Sequence, residues 1–353
     1  MTLQELGFQT KEQLRARRYE LQATDEVLYW FSSSGSTGDP VIYPWTAADQ
    51  QVADRTVARA HARLPAMHGS TGFVIAPTGL PGMWYHMDRQ LHHLGLATVL
   101  TGIAPERILS LLATLRPTLL MSLPLVLSRL GEAHAARGGP PLRDGVLFAG
   151  GDVLSAARRR RIETMWGAPL RNFYGLSEVF GPLATHSDAS DALEWTADEV
   201  EIEILDRQTL RPVARGETGI AVLTTMWDRP ASLKRYWTGD CFRLLRWSSP
   251  GHPVFEMRGR EHVRLPGLLP EWFPVDLDDV LLSDPAAGNE WNFSERPEDV
   301  LLTVEANAPL DAIDRSTVAR VEAMFDRGVE LQAAAPGTLD RSVPKLAVAS
   351  VRV

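Results

Sequence analysis

The sequence predicts an α/β protein, with a large N-terminal domain holding a mostly parallel sheet and a β-rich subdomain, and a small C-terminal α+β domain. Three observations carry this. Short apolar runs alternate with helical patterns between Phe73 and Tyr174, the signature of strand–helix–strand units. Beyond Tyr174 charged and β-branched residues alternate, as in "EVEIEIL", which suits half-exposed antiparallel strands. A last strand–helix–strand pattern begins near Arg260, so the boundaries fall at 1–259 and 260–353.

Residues 1 to about 30 read as a polar helical lead-in ending in an apolar strand, "EVLYWF". "GFVIAP" is a buried strand. Pro105 opens a helix, because proline is tolerated in a first turn and Ile108, Leu111, Leu112 and Leu115 share one face. "TLLMS" is a strand, and Pro124 starts a helix to about Ala136. "GVLFAGG" is a strand running into a glycine turn, after which Ser155 caps a helix from Ala156 to Trp166. Val200, Ile202 and Ile204 line one strand face, and "GIAVLTTM" follows. "VLLTVEA", an amphipathic helix from Arg315 to Arg327, and "VELQAAA" form the last unit. "GNEWNFSERPED" (288–299) reads as the most loop-like interior stretch.

Composition excludes several functions. The chain has 353 residues, 44% hydrophobic and 23% charged, with net charge −8. It offers no global basic field for nucleic acid or anionic lipid. The single cysteine, Cys241, rules out an internal disulfide and a cysteine-rich zinc site. The charged start does not suit a signal peptide, and prolines and arginines interrupt the apolar stretch Leu111 to Leu130. A cytoplasmic protein is expected.

Several segments carry candidate chemistry. "SSSGSTGDP" (32–40) follows an apolar strand. Its backbone N–H groups and hydroxyls suit an anionic phosphate, but taken alone a turn or linker is the stronger reading. "FYGLSEVFGP" (173–182) offers the ring of Tyr174 to a base, Ser177 to a phosphate and Glu178 to a divalent metal. In "LKRYWTGDCFRLL", Asp240 can accept two ribose hydroxyls, though Gly-Asp is also ordinary turn chemistry. "FAGGDVLS" lets a flat ring lie against bare backbone. The three histidines of "WYHMDRQLHHLG" lack further ligands at zinc spacing. Arg158 to Arg161 read as a solvated helix face, with a docking patch for an acidic partner as the alternative.

In this order, the segments resemble the adenylate-forming ligases, in their phenylacetate–coenzyme A ligase branch. The family's phosphate loop S-S-G-T-T-G-K-P is similar to Ser33–Pro40, and Y-G-[LT]-[ST]-E matches Tyr174–Glu178. G-E-x-G-x-x-x-x-T-T and R-Y-x-T-x-D match Gly216–Thr225 and Arg235–Asp240. The hinge G-R is Gly259–Arg260, "FPVDLDDVLL" resembles a branch segment, and P-G-x-L-x-R-S-x-x-K matches Pro336–Lys345. "TKEQLR" (10–15) also resembles the branch. With these motifs in place, the linker reading of the first loop falls away.

The resemblance implies roles. Ser34, Gly35, Ser36, Thr37 and Gly38 would hold the β- and γ-phosphates of ATP. Gly150, Gly151 and Asp152 would lie along the adenine, with Tyr174 and Gly175 against its face. Glu178 would carry Mg²⁺, Ser177 would touch the α-phosphate, and Asp240 and Arg260 would contact ribose or phosphate. Lys345, on a mobile small domain, would bridge carboxylate and α-phosphate. Met83, Trp84 and His86 are candidates for the acyl pocket.

The activity implied is adenylation of a small, aromatic carboxylic acid, followed by acyl transfer to coenzyme A. Transfer to the phosphopantetheine of an acyl carrier protein, or to an amine in biosynthesis, stays open, as does a homodimer. Asp39 departs from the family by standing where lysine is usual. Either another cation compensates, or ATP affinity is weak, or the chain is a nucleotide-binding relative that no longer adenylates. His262 falls near the position of an acidic hinge residue.

Overall fold

Strands whose side chains are buried on both faces belong in the middle of a helix-covered sheet, and two runs in the parallel part meet that condition at every position. They are β5 (Leu119–Ser122) and β6 (Val146–Gly150). The computed structural model describes residues 3, 5–17, 27–33, 40–62, 69–76, 81–93, 95–142, 144–179, 181–187, 192–249, 251–306 and 313–341. Ser34–Gly38, Asp39 and Lys345 lie outside the described residues, as does the side chain of Met83.

The chain opens with α1 (Lys11–Ala16) and a hairpin of β1 (Val27–Ser32) and β2 (Ile42–Thr46). Next come α2 (Ala47–His61), β3 (Thr71–Ile75), α3 (Pro81–His93), β4 (Ala97–Thr101), α4 (Pro105–Leu115), β5, α5 (Pro124–Ala136), β6, α6 (Ala156–Trp166) and β7 (Leu170–Tyr174). Six strands follow: β8 (Ala184–His186), β9 (Leu193–Trp195), β10 (Val200–Leu205), β11 (Thr218–Thr225), β12 (Tyr236–Ser249) and β13 (His252–Arg260). The last unit holds α7 (Pro274–Leu282), β14 (Ala287–Glu295), β15 (Asp299–Ala306), α8 (Arg315–Glu322) and β16 (Gly328–Ala334).

Among the described residues, β3 to β13 form one sheet in the order β10-β11-β12-β13-β9-β8-β7-β6-β5-β3-β4. The end made of β4, β3, β5, β6 and β7 is parallel, and the direction reverses at β8. The expected parallel sheet and β-rich part are therefore continuous. The starts of the helices follow the sequence. Pro105 and Pro124 open α4 and α5, and the Ser155 hydroxyl accepts from the Arg158 N–H. None of the described helices is long and apolar enough to cross a membrane.

In the last unit, β15 and β16 run parallel with α8 between them, as expected. Two expectations fail. The 288–299 stretch is not a loop, since β14 covers most of it and pairs antiparallel with β15. Its Trp291 and Phe293 are buried, alternating with the partly exposed Asn292 and Ser294. The helix expected through Arg327 stops at Glu322, because the chain turns there to bring Phe325 against Leu268.

The arginine run of α6 is also not a solvated face. Arg158 and Asp278 of α7 form an ion pair at 2.5 Å with side chains 1% and 0% exposed. Asp278 also accepts from Ser155 at 2.6 Å and from the Trp291 indole at 2.9 Å. Arg161 donates to the carbonyls of Leu282, Asp284, Ala287 and Gly288. Arg159 turns to the Leu170 carbonyl and His186, leaving Arg160 as the exposed member. Three of the four arginines thus bond within the fold, two of them to the last unit. One hydrophobic cluster spans the same junction, joining Val153, Ala157, Trp237 and Cys241 to Leu265, Phe273, Leu277 and Trp291.

Candidate active site

Ligands of open α/β sheets bind beyond the carboxyl ends of the parallel strands. Gly150 ends β6 and pairs with Phe173, which places Gly151 and Asp152 beside Tyr174 at the end of β7. The chain then turns tightly. The Leu183 N–H donates to the Tyr174 carbonyl at 2.7 Å. A Cβ on Gly175 would meet the Gly181 carbonyl oxygen at 2.4 Å, so this turn requires glycine. The bond from the Val179 N–H to the Leu176 carbonyl lifts Ser177 and Glu178 at its tip.

Opposite this turn, β12 and β13 supply the polar partners. Asp240 and Arg260 are directly paired in register. Arg260 Nε lies 3.0 Å from Asp240 Oδ1, and the Tyr174 hydroxyl donates to Oδ2 at 2.7 Å. The Tyr236 hydroxyl donates to Glu178 Oε1 at 3.3 Å. Gly259, with φ of 136°, holds a conformation other residues resist and directs Arg260 toward Asp240. Tyr174, Glu178, Asp240 and Arg260 thus meet in one cluster. Burial, and then the Asp240 carboxylate, raises the Tyr174 hydroxyl well above its ordinary pKa. Asp240 in turn raises the pKa of Arg260. Both groups keep their protons at neutral pH.

Sequence reasoning gave no role to Lys11, Tyr236, Arg229 or Asp49. The Gln9 carbonyl accepts from the Trp237 N–H, and Thr10 and Gln13 form a capping box. The bridge from Gln9 to Tyr236 thereby sets Lys11, the first residue of α1, near β12. Burial lowers its pKa, while Glu178 and, more weakly, Asp240 pull it back up. The "TKEQLR" match was the available signal, but only the fold brings Lys11 to the carboxylates.

Of the acyl-pocket candidates, Trp84 is fully buried in the main core. His86 is also buried, its ring centroid 5.0 Å from that of Phe31 and 4.5 Å from that of Trp45. Those two rings belong to β1 and β2, the strands on either side of residues 34–39. Burial pulls the imidazole down from 6.5 to about 4, against the pull of Asp54. An unfolded chain titrating near 6.5 therefore binds the extra proton first. Stability conferred by this group is full above pH 6.5 and is lost as the pH falls toward 4. The effect is on the order of 3 kcal/mol. His86→Phe is expected to flatten this acid-side loss in urea unfolding at about pH 7 and about pH 4.5. Equal losses in both proteins would refute the assignment.

No group of three or more His, Cys, Asp or Glu side chains among the described residues is arranged to hold a metal unaided. A single carboxylate, Glu178, fits Mg²⁺, which keeps several waters and takes its remaining ligands from substrate phosphates.

A model of the AMP-binding enzyme family matches residues 2–227. The phenylacetate–coenzyme A ligase of Thermus thermophilus is 27% identical over 311 residues, 81% of this chain and 67% of its own length. The Escherichia coli phenylacetate–coenzyme A ligase is 29% identical over 238 residues, 63% of this chain and 52% of its own. The chain thus spans between about half and two thirds of the length of these two relatives. In fold it is similar to a 2-hydroxyisobutyryl-CoA ligase solved in the postadenylation state with its acyl-AMP. The TM-score is 0.81 at 19% identity, over 95% of this chain and 77% of that one. Against the same ligase in the thioesterification state the TM-score falls to 0.64. The chain belongs to the family of AMP-binding enzymes, in its phenylacetate–coenzyme A ligase-like branch.

Proposed function

We propose that the protein is an AMP-forming ligase that activates a small aromatic carboxylic acid with ATP and passes the acyl group to coenzyme A. The observation that carries this reading is the convergence at the strand ends of two hydrogen-bonded sets, Tyr174–Asp240–Arg260 and Tyr236–Glu178, with Glu178 close enough to act electrostatically on Tyr174 and Arg260. In the first step a carboxylate oxygen attacks the α-phosphorus of ATP. The new bond is a mixed anhydride, and the bond to pyrophosphate breaks. In the second step the coenzyme A thiolate attacks the acyl carbon and AMP leaves.

Attack on a polyanion needs charge neutralisation more than a general base. Mg²⁺, when bound, supplies part of it, and Glu178 is the residue that would hold it. Asp240 orients the ribose while Arg260 balances its charge. Asp39 places a carboxylate where the family has lysine, and Lys11, facing Glu178 and Asp240, is the cation that compensates for it. Ser34–Gly38 would hold the leaving pyrophosphate, and Lys345 would reach the reacting carboxylate from the small domain. His86, between Phe31 and Trp45, would close the acyl pocket on its aromatic side.

The reading is tested by incubating the protein with ATP, Mg²⁺ and a panel of aryl, fatty and amino acids. Pyrophosphate release with hydroxylamine trapping of the adenylate is expected for an aryl acid. Nucleotide binding without turnover on any acid would overturn the ligase reading in favour of a non-adenylating relative, which Asp39 favours. Supplying coenzyme A or a carrier protein in a second stage identifies the acceptor.

A further inference from the structure

Glu178 is held through its main chain by a group that none of the adenylation motifs includes. Arg229, between β11 and β12, donates from one terminal nitrogen to the Glu178 carbonyl oxygen at 3.0 Å. Its Nε lies 2.9 Å from Asp49 Oδ1 as an ion pair, and both side chains are 0% exposed. The Trp227 indole donates to the same Asp49 oxygen at 2.9 Å, and its ring lies 5.2 Å from the Arg229 guanidinium carbon. The other Asp49 oxygen accepts from both the N–H and the hydroxyl of Thr46, at 3.0 and 2.9 Å. Thr46 ends β2, the strand that returns from residues 34–39. One planar guanidinium therefore spans from the backbone of Glu178 to the base of the hairpin carrying the phosphate loop.

A fully buried ion pair is weak evidence for stability, since an apolar pair of similar volume often serves as well or better. Its distinctive property is geometric. A guanidinium offers donors in a rigid fork, whereas an ammonium presents one flexible point charge. The Glu178 side chain itself makes one hydrogen bond among the described residues, to Tyr236. The direction in which its carboxylate points thus depends on the peptide that Arg229 holds.

We infer that Arg229 is a positioning residue for Glu178, and that through Asp49 it fixes the spacing between Glu178 and the phosphate-loop hairpin. The inference rests on the ligase reading, in which these two elements grip the metal and the phosphates of one nucleotide. Arg229 touches neither substrate nor metal, so its removal should loosen the joint grip on metal and nucleotide while leaving the acyl side unaffected.

The test uses the full chain and three variants, Arg229→Met, Arg229→Lys and Asp49→Asn. Mn²⁺ is the paramagnetic probe, titrated in the presence of a non-hydrolysable ATP analogue. Thermal unfolding is followed in parallel. Mn²⁺ affinity in the ternary complex is expected to fall about tenfold or more in Arg229→Met. Arg229→Lys should fall in the same direction, because it keeps the charge and loses the fork. In turnover, kcat should drop with the metal affinity while the KM for the acid changes less than about twofold. Asp49→Asn keeps the shape of the pair and decides the matter if Arg229→Met does not fold. Folded variants with unchanged Mn²⁺ affinity and kcat, beside a wild-type protein that binds the probe, would overturn the inference alone. A wild-type protein that binds no Mn²⁺–nucleotide complex overturns the ligase reading and the inference together.

Discussion

Replacing Asp278 with alanine is expected to destabilise the protein by about 3–5 kcal/mol, the range found when one partner of a buried ion pair is removed. The change would leave the Arg158 guanidinium, 1% exposed, without the carboxylate that both its Nε and a terminal nitrogen contact. Burial works to lower the pKa of Arg158, yet its contacts with Asp278 raise it overall, so the arginine stays charged and cannot escape by losing its proton. The Asn289 carbonyl, 3.0 Å away, remains as an acceptor but carries no full charge. Urea unfolding at neutral pH measures the loss. A variant within about 1 kcal/mol of wild type would show the pair to be energetically idle. The double variant Arg158→Met with Asp278→Leu should recover most of the stability, because it removes both charges and fills similar volume.

Replacing Lys345 with alanine should lower adenylate formation by roughly 10²–10³-fold while leaving ATP binding within a fewfold of wild type. In the proposed mechanism this lysine meets the α-phosphate only as negative charge shifts onto the bridging oxygens. Its loss therefore raises the barrier more than it weakens the ground-state complex. Acyl transfer from pre-formed adenylate to coenzyme A should change little, since in the proposed mechanism the lysine would serve the first step alone. Pyrophosphate release and thioester formation, measured separately, distinguish the two steps. Full pyrophosphate release in Lys345→Ala would sink the assignment.

How far these features were legible depends on the distance over which each is encoded. Pro105, Pro124 and Ser155 act within one turn of their own helices, and all three start helices as read. The runs "LLMS" and "VLFAG" carry enough consecutive apolar residues to be seen as buried strands. The β14 strand was hidden because Gly288, Asn289 and Pro297 supply turn letters around the alternating pair Trp291 and Phe293. Its burial comes from β15 and α7, not from its own composition. The arginine run of α6 looked solvated because its partner, Asp278, is 120 residues away. In the site, the order of motifs located Tyr174, Glu178, Asp240 and Arg260. The contact of Lys11 with their fields, and the hold of Arg229 on Glu178, depend on backbone pairings that no local pattern records.

The cluster that runs from Val153, Ala157, Trp237 and Cys241 into Leu265, Phe273, Leu277 and Trp291 bears on how the chain acquires its structure. Residues up to Gly259 leave the ribosome first, with part of their apolar underside uncovered and Arg158 lacking its counter-charge. That surface closes only when α7 and β14 have been made and docked. The last unit is equally dependent, because Leu265 and Phe273 would face water without the large sheet. The boundary expected at Gly259 and Arg260 is therefore crossed by one shared apolar cluster.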